Sequence, residues 1–196
     1  MARAIAAVLV VVLAIAGNAE ADSWIRFVNL RRVFGPVEID RAKGKGFERA
    51  ILSMPVSEGV RLRTSTEGRA AVQFEDGSIL RLSSESEVSF SKLMLLSSGY
   101  RSSVVRIFRG GVRLNFRNAG KDHLRVVFPG GEVELNRPAE FFLHVEGDQA
   151  MLSVEKGKVT VQQGGQVMTV RKNETRAFEY HQPPEMATAH ESASTF

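Results

Sequence analysis

Cysteine is absent from the 196 residues. No disulfide can form, and zinc–thiolate sites, cysteine nucleophiles and a lipid-modified N-terminal cysteine are all excluded. Histidine is scarce: only His123, His144, His181 and His190 occur. None has a nucleophile at a recognisable spacing, and His144 with Glu146 on one strand face offers two ligands where a metal site needs three or four. Long apolar runs are also missing. A spanning helix needs about 20 such residues, and Ala4–Gly17 falls short of that. The run follows Met1-Ala2-Arg3 and precedes Ala19-Glu20-Ala21. A basic start, a short apolar stretch and a small-residue cleavage signal are the layout of a secretory signal peptide. Residues 1–21 are therefore expected to form a signal helix and to send the rest of the chain to the periplasm or the outside. The alternative is that the run stays uncleaved as an anchor, and only then does the chain touch the membrane.

Cleavage after Ala21 leaves 175 residues, enough for one domain with a real core. The charge balance is 26 basic to 22 acidic residues, with an isoelectric point near 9.7. That excess favours an anionic neighbour, and it also serves the solubility of an exported domain. Hydrophobic residues make up 43% and charged residues 24%, so the body is globular. Beyond Tyr180 the tail HQPPEMATAHESASTF has no period and few apolar residues, which predicts disorder over 181–196.

What the sequence does contain is alternation. Val60, Leu62 and Thr64 alternate with Arg61 and Arg63; Ala70, Val72 and Phe74 alternate with polar residues. Strand side chains point to opposite faces in turn, so such runs are half-buried strands. Asp76-Gly77 marks a hairpin. A two-residue loop would put Arg81 opposite Val72. A three-residue loop, Glu75-Asp76-Gly77, pairs Val72 with Leu80 and Ala70 with Leu82 and keeps one face apolar. Three later hairpins can be registered in the same way. A loop over Phe128–Gly131 pairs Val126 with Val133 and Leu124 with Leu135, with Arg125 opposite Glu134. A turn at Gly147-Asp148 pairs Leu143 with Leu152 and Phe141 with Val154. A turn at Gly164-Gly165 pairs Val161 with Met168 and Val159 with Val170. Gly110-Gly111 is expected to be a turn between strands Val104–Phe108 and Val112–Phe116. Ser23–Leu30 reads as a strand or a short helix, and Phe47–Met54 is ambiguous.

Gly59-Val60-Arg61-Leu62 recurs as Gly111-Val112-Arg113-Leu114, with a looser copy at Gly157-Lys158-Val159-Thr160-Val161. Repeated hairpins with one apolar face must stack to bury it. The expectation is an all-β body over residues 22–180, a solenoid-like stack of antiparallel two-stranded units, with a β-sandwich as the alternative.

Several short motifs carry a family resemblance. They are Gly35-Pro36-Val37-Glu38-Ile39; Phe47; Pro55-Val56-Ser57-Glu58-Gly59 with Thr64; Val72-Gln73-Phe74-Glu75-Asp76-Gly77-Ser78 with Leu82; and Gly157-Lys158-Val159-Thr160-Val161. On these the stretch from Phe34 to about Tyr180 resembles the FecR domain. The resemblance implies a periplasmic all-β solenoid, and the best-known members are membrane-spanning anti-sigma regulators that relay a signal from an outer-membrane transporter. This chain departs from them. Only Met1–Arg3 precede the apolar run, no clear second domain follows the β body, and the family's G-T-x-F-x-V strand survives only loosely as Pro138-Ala139-Glu140-Phe141-Phe142-Leu143.

Candidate chemistry is thin. Glu132 and Glu134 share a strand face and could approach the roughly 5–10 Å spacing of a glycosidase pair, but Arg125 beside them predicts an ordinary ion pair. Glu85 and Glu87 cluster similarly. Gly110-Gly111 and Gly130-Gly131 lack the strand-to-helix context of a phosphate loop. No enzyme and no cofactor is expected. Arg61, Arg63, Arg81, Arg113, Arg117 and Arg125 all fall on outward strand positions. In stacked repeats they would align as a basic ladder able to grip phosphate or carboxylate polymers, or they form a solvated face interleaved with glutamate. Nucleic acid is a poor candidate, because the chain is exported and the stripe has no interleaved aromatics. The leading reading is a non-enzymatic exported binding or scaffold module whose partner is an envelope protein or an anionic polymer. The alternative is a component of transmembrane signalling of the sigma/anti-sigma, transporter-coupled kind. An envelope carbohydrate enzyme comes third.

Overall fold

The structure is a computed structural model and describes residues 23–117 and 122–180. The expected signal helix and the expected disordered tail lie outside these residues. Every regular element described is a strand, and none is a helix long and apolar enough to cross a membrane.

The first half of the chain gives β1 (Ser23–Ile25), β2 (Val28–Phe34), β3 (Val37–Asp40), β4 (Phe47–Arg49), β5 (Pro55–Val56), β6 (Arg61–Thr64), β7 (Arg69–Gln73), β8 (Ile79–Leu82) and β9 (Glu87–Leu96). The second half gives β10 (Arg101–Phe116), β11 (Asp122–Phe128), β12 (Gly131–Leu135), β13 (Ala139–Glu146), β14 (Gln149–Lys156), β15 (Lys158–Gln163), β16 (Gln166–Arg171) and β17 (Thr175–Glu179). They pair into two sheets. The first runs β4-β3-β6-β9-β10-β11-β12-β15-β16, with β1 on the far end of β9. The second runs β5-β2-β7-β8-β10-β13-β14-β17. Strand β10 belongs to both. All pairings are antiparallel except β10 with β11, so the first sheet is mixed.

Alternation builds the interior. In β13, Ala139, Phe141, Leu143 and Val145 point inward and their neighbours point out. Residues from both sheets, among them Leu30, Leu62, Leu80, Phe90, Leu114, Phe141 and Phe178, join one buried cluster. Each Leu or Phe so buried stabilises the fold by about 1.5–3 kcal/mol over leaving it in water.

The hairpin registers are those expected. Val72 pairs with Leu80 and Ala70 with Leu82 across a three-residue loop. Val126 pairs with Val133, Leu143 with Leu152, and Val161 with Met168. Gly77 holds φ +81, a conformation that costs a side-chain-bearing residue about 1–2 kcal/mol. A Cβ there would meet only Arg117, at an ordinary 3.5 Å. Gly77→Val is therefore expected to lower the thermal midpoint by about 5 °C, backbone strain alone at the 2–4 °C per kcal/mol of a chain this size. An unchanged midpoint in a melting scan would refute that origin.

Three expectations need correction. Gly110-Gly111 is not a turn: the chain runs through it as one sixteen-residue strand, Arg101–Phe116. Residues up to Arg109 pair in the first sheet and residues from Gly110 pair in the second, so the glycines mark a corner. The Phe128–Gly131 loop is tighter than expected, because Phe128 and Gly131 are themselves paired. Ser23–Leu30 is neither one strand nor a helix but two strands broken at Arg26 and Phe27.

Candidate functional site

The six arginines point outward, but they do not form one ladder. Arg61, Arg63 and Arg125 sit on the first sheet, and Arg81 and Arg113 on the second. Arg117 follows the end of β10 at the second sheet's border. The expected stacking of repeats into a single basic stripe fails because the repeated words lie in strands that alternate between sheets.

On the first sheet the charges alternate across five strands. Arg49, Glu38, Arg63, Glu87 and Arg109 are successive register partners on β4, β3, β6, β9 and β10. Arg63 donates to Glu38 at 2.5 Å, Arg61 is bonded to Glu87, and Arg109 lies 3.6 Å from the same carboxylate. Phe47 lies under Arg63 at 4.0 Å, and Phe108 lies 5.0 Å from Arg61. This is the interleaved face rather than an open anion grip. Arg125 faces Glu134 in register, but its ion pair is the diagonal one, 3.6 Å from Glu132. On the second sheet Arg81 and Arg113 are direct partners. Arg113 is bonded to Glu155 and lies 6.0 Å from the Phe142 ring. A hydrogen bond from Lys156, aided by the charges of Arg113 and Arg81, holds the Glu140 carboxyl below its usual range. Exposed pairs of this kind stabilise by at most about 1 kcal/mol each.

Glu87 is taken up by arginines, Glu132 by Arg125. His144 touches Glu146 at 3.3 Å, and among the described residues no three potential metal ligands come together.

The motif residues turn out to be architectural. Asp76 accepts from the Ser78 backbone amide at 2.8 Å and from its hydroxyl at 2.5 Å, which closes the loop around Gly77. The Ser78 oxygen then receives the Arg117 amide at 2.9 Å, tying the hairpin to β10. Thr64, buried, donates to the Ser83 carbonyl at 2.6 Å and accepts from the Ser86 amide at 2.9 Å. Ser86 in turn bonds both the amide and the carbonyl of Gly111.

One partly buried ion pair stands apart. Arg26, 6% exposed, binds Glu75 through two parallel hydrogen bonds of 2.8 and 2.6 Å. Its third nitrogen reaches the Ser103 hydroxyl at 3.0 Å and the carbonyls of Met94 and Ser102. Burial pushes the Glu75 carboxyl up, but the bonds and charge from Arg26, a backbone hydrogen bond and the Arg101 charge together outweigh it and leave the carboxyl below its ordinary value. Nearby, Arg101 makes a second two-pronged pair with Asp122. The segment entering the body is thus locked to the D-G-S hairpin, β9 and β10.

Sequence reasoning missed a basic cleft. Two adjoining hollows, of about 220 and 540 Å³, share Arg137 and Lys158. The first adds Glu134, Leu135, Asn136 and Thr160; the second adds Pro138, Gly157, Arg171 and Lys172. The walls come from the β12–β13, β14–β15 and β16–β17 connections, three crossings between the sheets. Basic residues at three turns were visible in the sequence; that the turns share one side was not.

Residues 60–160 match the model of the family described as FecR protein. No curated protein sequence matches. Two crystal structures, each of a proposed anti-sigma factor from Parabacteroides distasonis, share the fold at a TM-score of 0.51, with 17% and 19% identity. In both, the similarity covers 61% of this chain and 54% of the other, so it spans about half the length of those proteins. The family match takes in more than half of the 196 residues, from β6 through the D-G-S hairpin and the β10 corner to β15, and on that ground the chain belongs to the FecR family.

Proposed function

We propose that the chain is a non-catalytic component of a transmembrane signalling system, with its β body outside the cytoplasmic membrane and its N-terminal apolar run kept as an anchor. The observation that carries this reading is the FecR match over residues 60–160. The structural likeness to proposed anti-sigma factors supports it at the level of fold. A physical feature agrees. A signal-relaying body must not swivel freely on its tether, and Arg26, nine residues beyond Gly17 at the end of the apolar run, is buried and fixed to three separate elements. The partner would be an envelope protein. We also infer that the body is a solenoid-like stack, since the hairpins β11–β12, β13–β14 and β15–β16 fall alternately on the first, second and first sheets.

A second reading, a scaffold or binding module released from the membrane, draws on Ala19-Glu20-Ala21 as a cleavage signal. One experiment separates the two. The full chain is expressed in a Gram-negative host, fractionated, and its N-terminus determined by mass spectrometry. The signalling reading expects membrane retention, an intact N-terminus and a β body open to protease added to spheroplasts. Soluble protein beginning at Asp22 would overturn it in favour of the scaffold.

A further inference from the structure

We propose that the cleft between Arg137, Lys158, Arg171 and Lys172 is a binding site for phosphate groups carrying more than one negative charge. The inference does not rest on the signalling reading. Its ground is a cluster of unpaired cations on a surface where many others are paired. Arg41, Arg61, Arg63, Arg109, Arg113, Arg125 and Lys156 each have a carboxylate within 4.0 Å. The four cleft cations have none among the described residues, and all four are exposed. Cations without partners are unremarkable when scattered. These four line two hollows that share a wall, with Glu134 the sole carboxylate on either lining.

The arrangement is also held in place. Lys158 and Arg171 are direct partners across β15 and β16, so their Cα atoms lie about 5 Å apart. The turn bearing Lys158 is packed against the turn bearing Arg137: a Cβ at position 157 would sit 2.6 Å from the Pro138 carbonyl oxygen. The Arg171–Glu174 turn is closed by the Glu174 carboxylate accepting the Arg171 amide at 2.9 Å. Folding therefore brings together like charges that repel, with no carboxylate of the described residues within ion-pair distance of any of the four. A ligand that supplies the missing negative charge binds with that repulsion removed.

Charge density selects the ligand class. A phosphate monoester or a condensed phosphate brings close to two charges and three acceptor oxygens per group. A carboxylate brings one charge and two oxygens. Four cations converging on a hollow of this size match the former, with the Arg137 and Arg171 forks gripping oxygens in pairs and the lysines acting as point charges.

The test uses the purified full chain, with tripolyphosphate as the probe in calorimetry at low and moderate salt. The site variant carries Arg137→Gln, Lys158→Gln, Arg171→Gln and Lys172→Gln. A control variant, Arg31→Gln, Arg32→Gln, Arg69→Gln and Arg106→Gln, removes the same charge elsewhere. Wild type and control are expected to bind, and the site variant to bind at least tenfold more weakly. Vesicles of phosphatidic acid in phosphatidylcholine, against phosphatidylcholine alone, distinguish the source. Retention that the site variant loses assigns the phosphate to a lipid head group, and tripolyphosphate binding without retention assigns it to a soluble compound. No binding by wild type, equal weakening in both variants, or tighter binding of polyglutamate than of tripolyphosphate would each overturn the proposal.

Discussion

Gly110→Ala is expected to unfold the protein at a markedly lower temperature than Gly77→Ala. Two costs combine at Gly110. The backbone holds φ +78, which for alanine costs about 1–2 kcal/mol. The added Cβ would also lie 2.5 Å from the Ser86 Cα and 2.6 Å from the Glu85 carbonyl oxygen, closer than real Cβ atoms approach backbone. Neither neighbour is the free end of a flexible side chain. The Ser83–Ser86 turn is pinned by Thr64 from one side and bonded to Gly111 from the other. Relief must come from moving the corner, which carries β10 from one sheet to the other. We expect a loss of about 4 kcal/mol, at the upper end for point changes, and a midpoint lower by about 10 °C.

Gly77→Ala supplies the comparison. It carries the same backbone strain without the overlap, so it should cost about 1–2 kcal/mol. Chemical denaturation of both variants measures the difference. Equal losses would mean that the corner yields freely and that β10 is not a fixed hinge between the sheets.

That corner also shows where reading the sequence stops. Gly-Gly between two alternating runs signals a break, and the signal was sound: the chain does change direction at Gly110. Local pattern cannot tell a reversal from a bend, because the choice depends on what lies against the glycines, here Ser86 from the β8–β9 turn and Phe142 from β13. The hairpins were legible because turn chemistry and apolar alternation are both local and agree, as at Val72–Leu80 and Val159–Val170. The arginines were legible as outward residues for the same reason. Their division between two sheets was not, since Gly59-Val60-Arg61-Leu62 and Gly111-Val112-Arg113-Leu114 look alike and sheet membership is set by non-local pairing. The same limit hid the cleft at Arg137, Lys158 and Arg171. It also hid the Arg26–Glu75 lock, whose partners are 49 residues apart.

Removing that lock is the second large effect. Arg26→Met keeps the bulk of the side chain but strands the Glu75 carboxylate, two-thirds buried, without its partner. It also leaves the buried Ser103 hydroxyl without its Arg26 bond. Breaking one side of a fully buried pair costs about 3–5 kcal/mol; Glu75 keeps a third of its side chain in water, so the loss here falls below that range. The pH dependence gives the mechanism away. In the wild type Glu75 titrates below its ordinary 4.5, so its contribution is complete above that value and is lost as pH falls through the folded-state value. In Arg26→Met the burial that pushes Glu75 up is opposed only by a backbone hydrogen bond and the Arg101 charge, so its folded-state value rises from the wild-type one and most of that contribution is lost. The deficit of the variant should therefore be greatest at neutral pH and shrink as the pH falls toward and below 4.5. Adding Glu75→Gln to Arg26→Met should restore part of the stability at pH 7, because it removes the stranded charge. A deficit that stays constant with pH, and that Glu75→Gln does not reduce, would show that Arg26 acts by packing alone and that the ion pair does not fix the entering segment to the body.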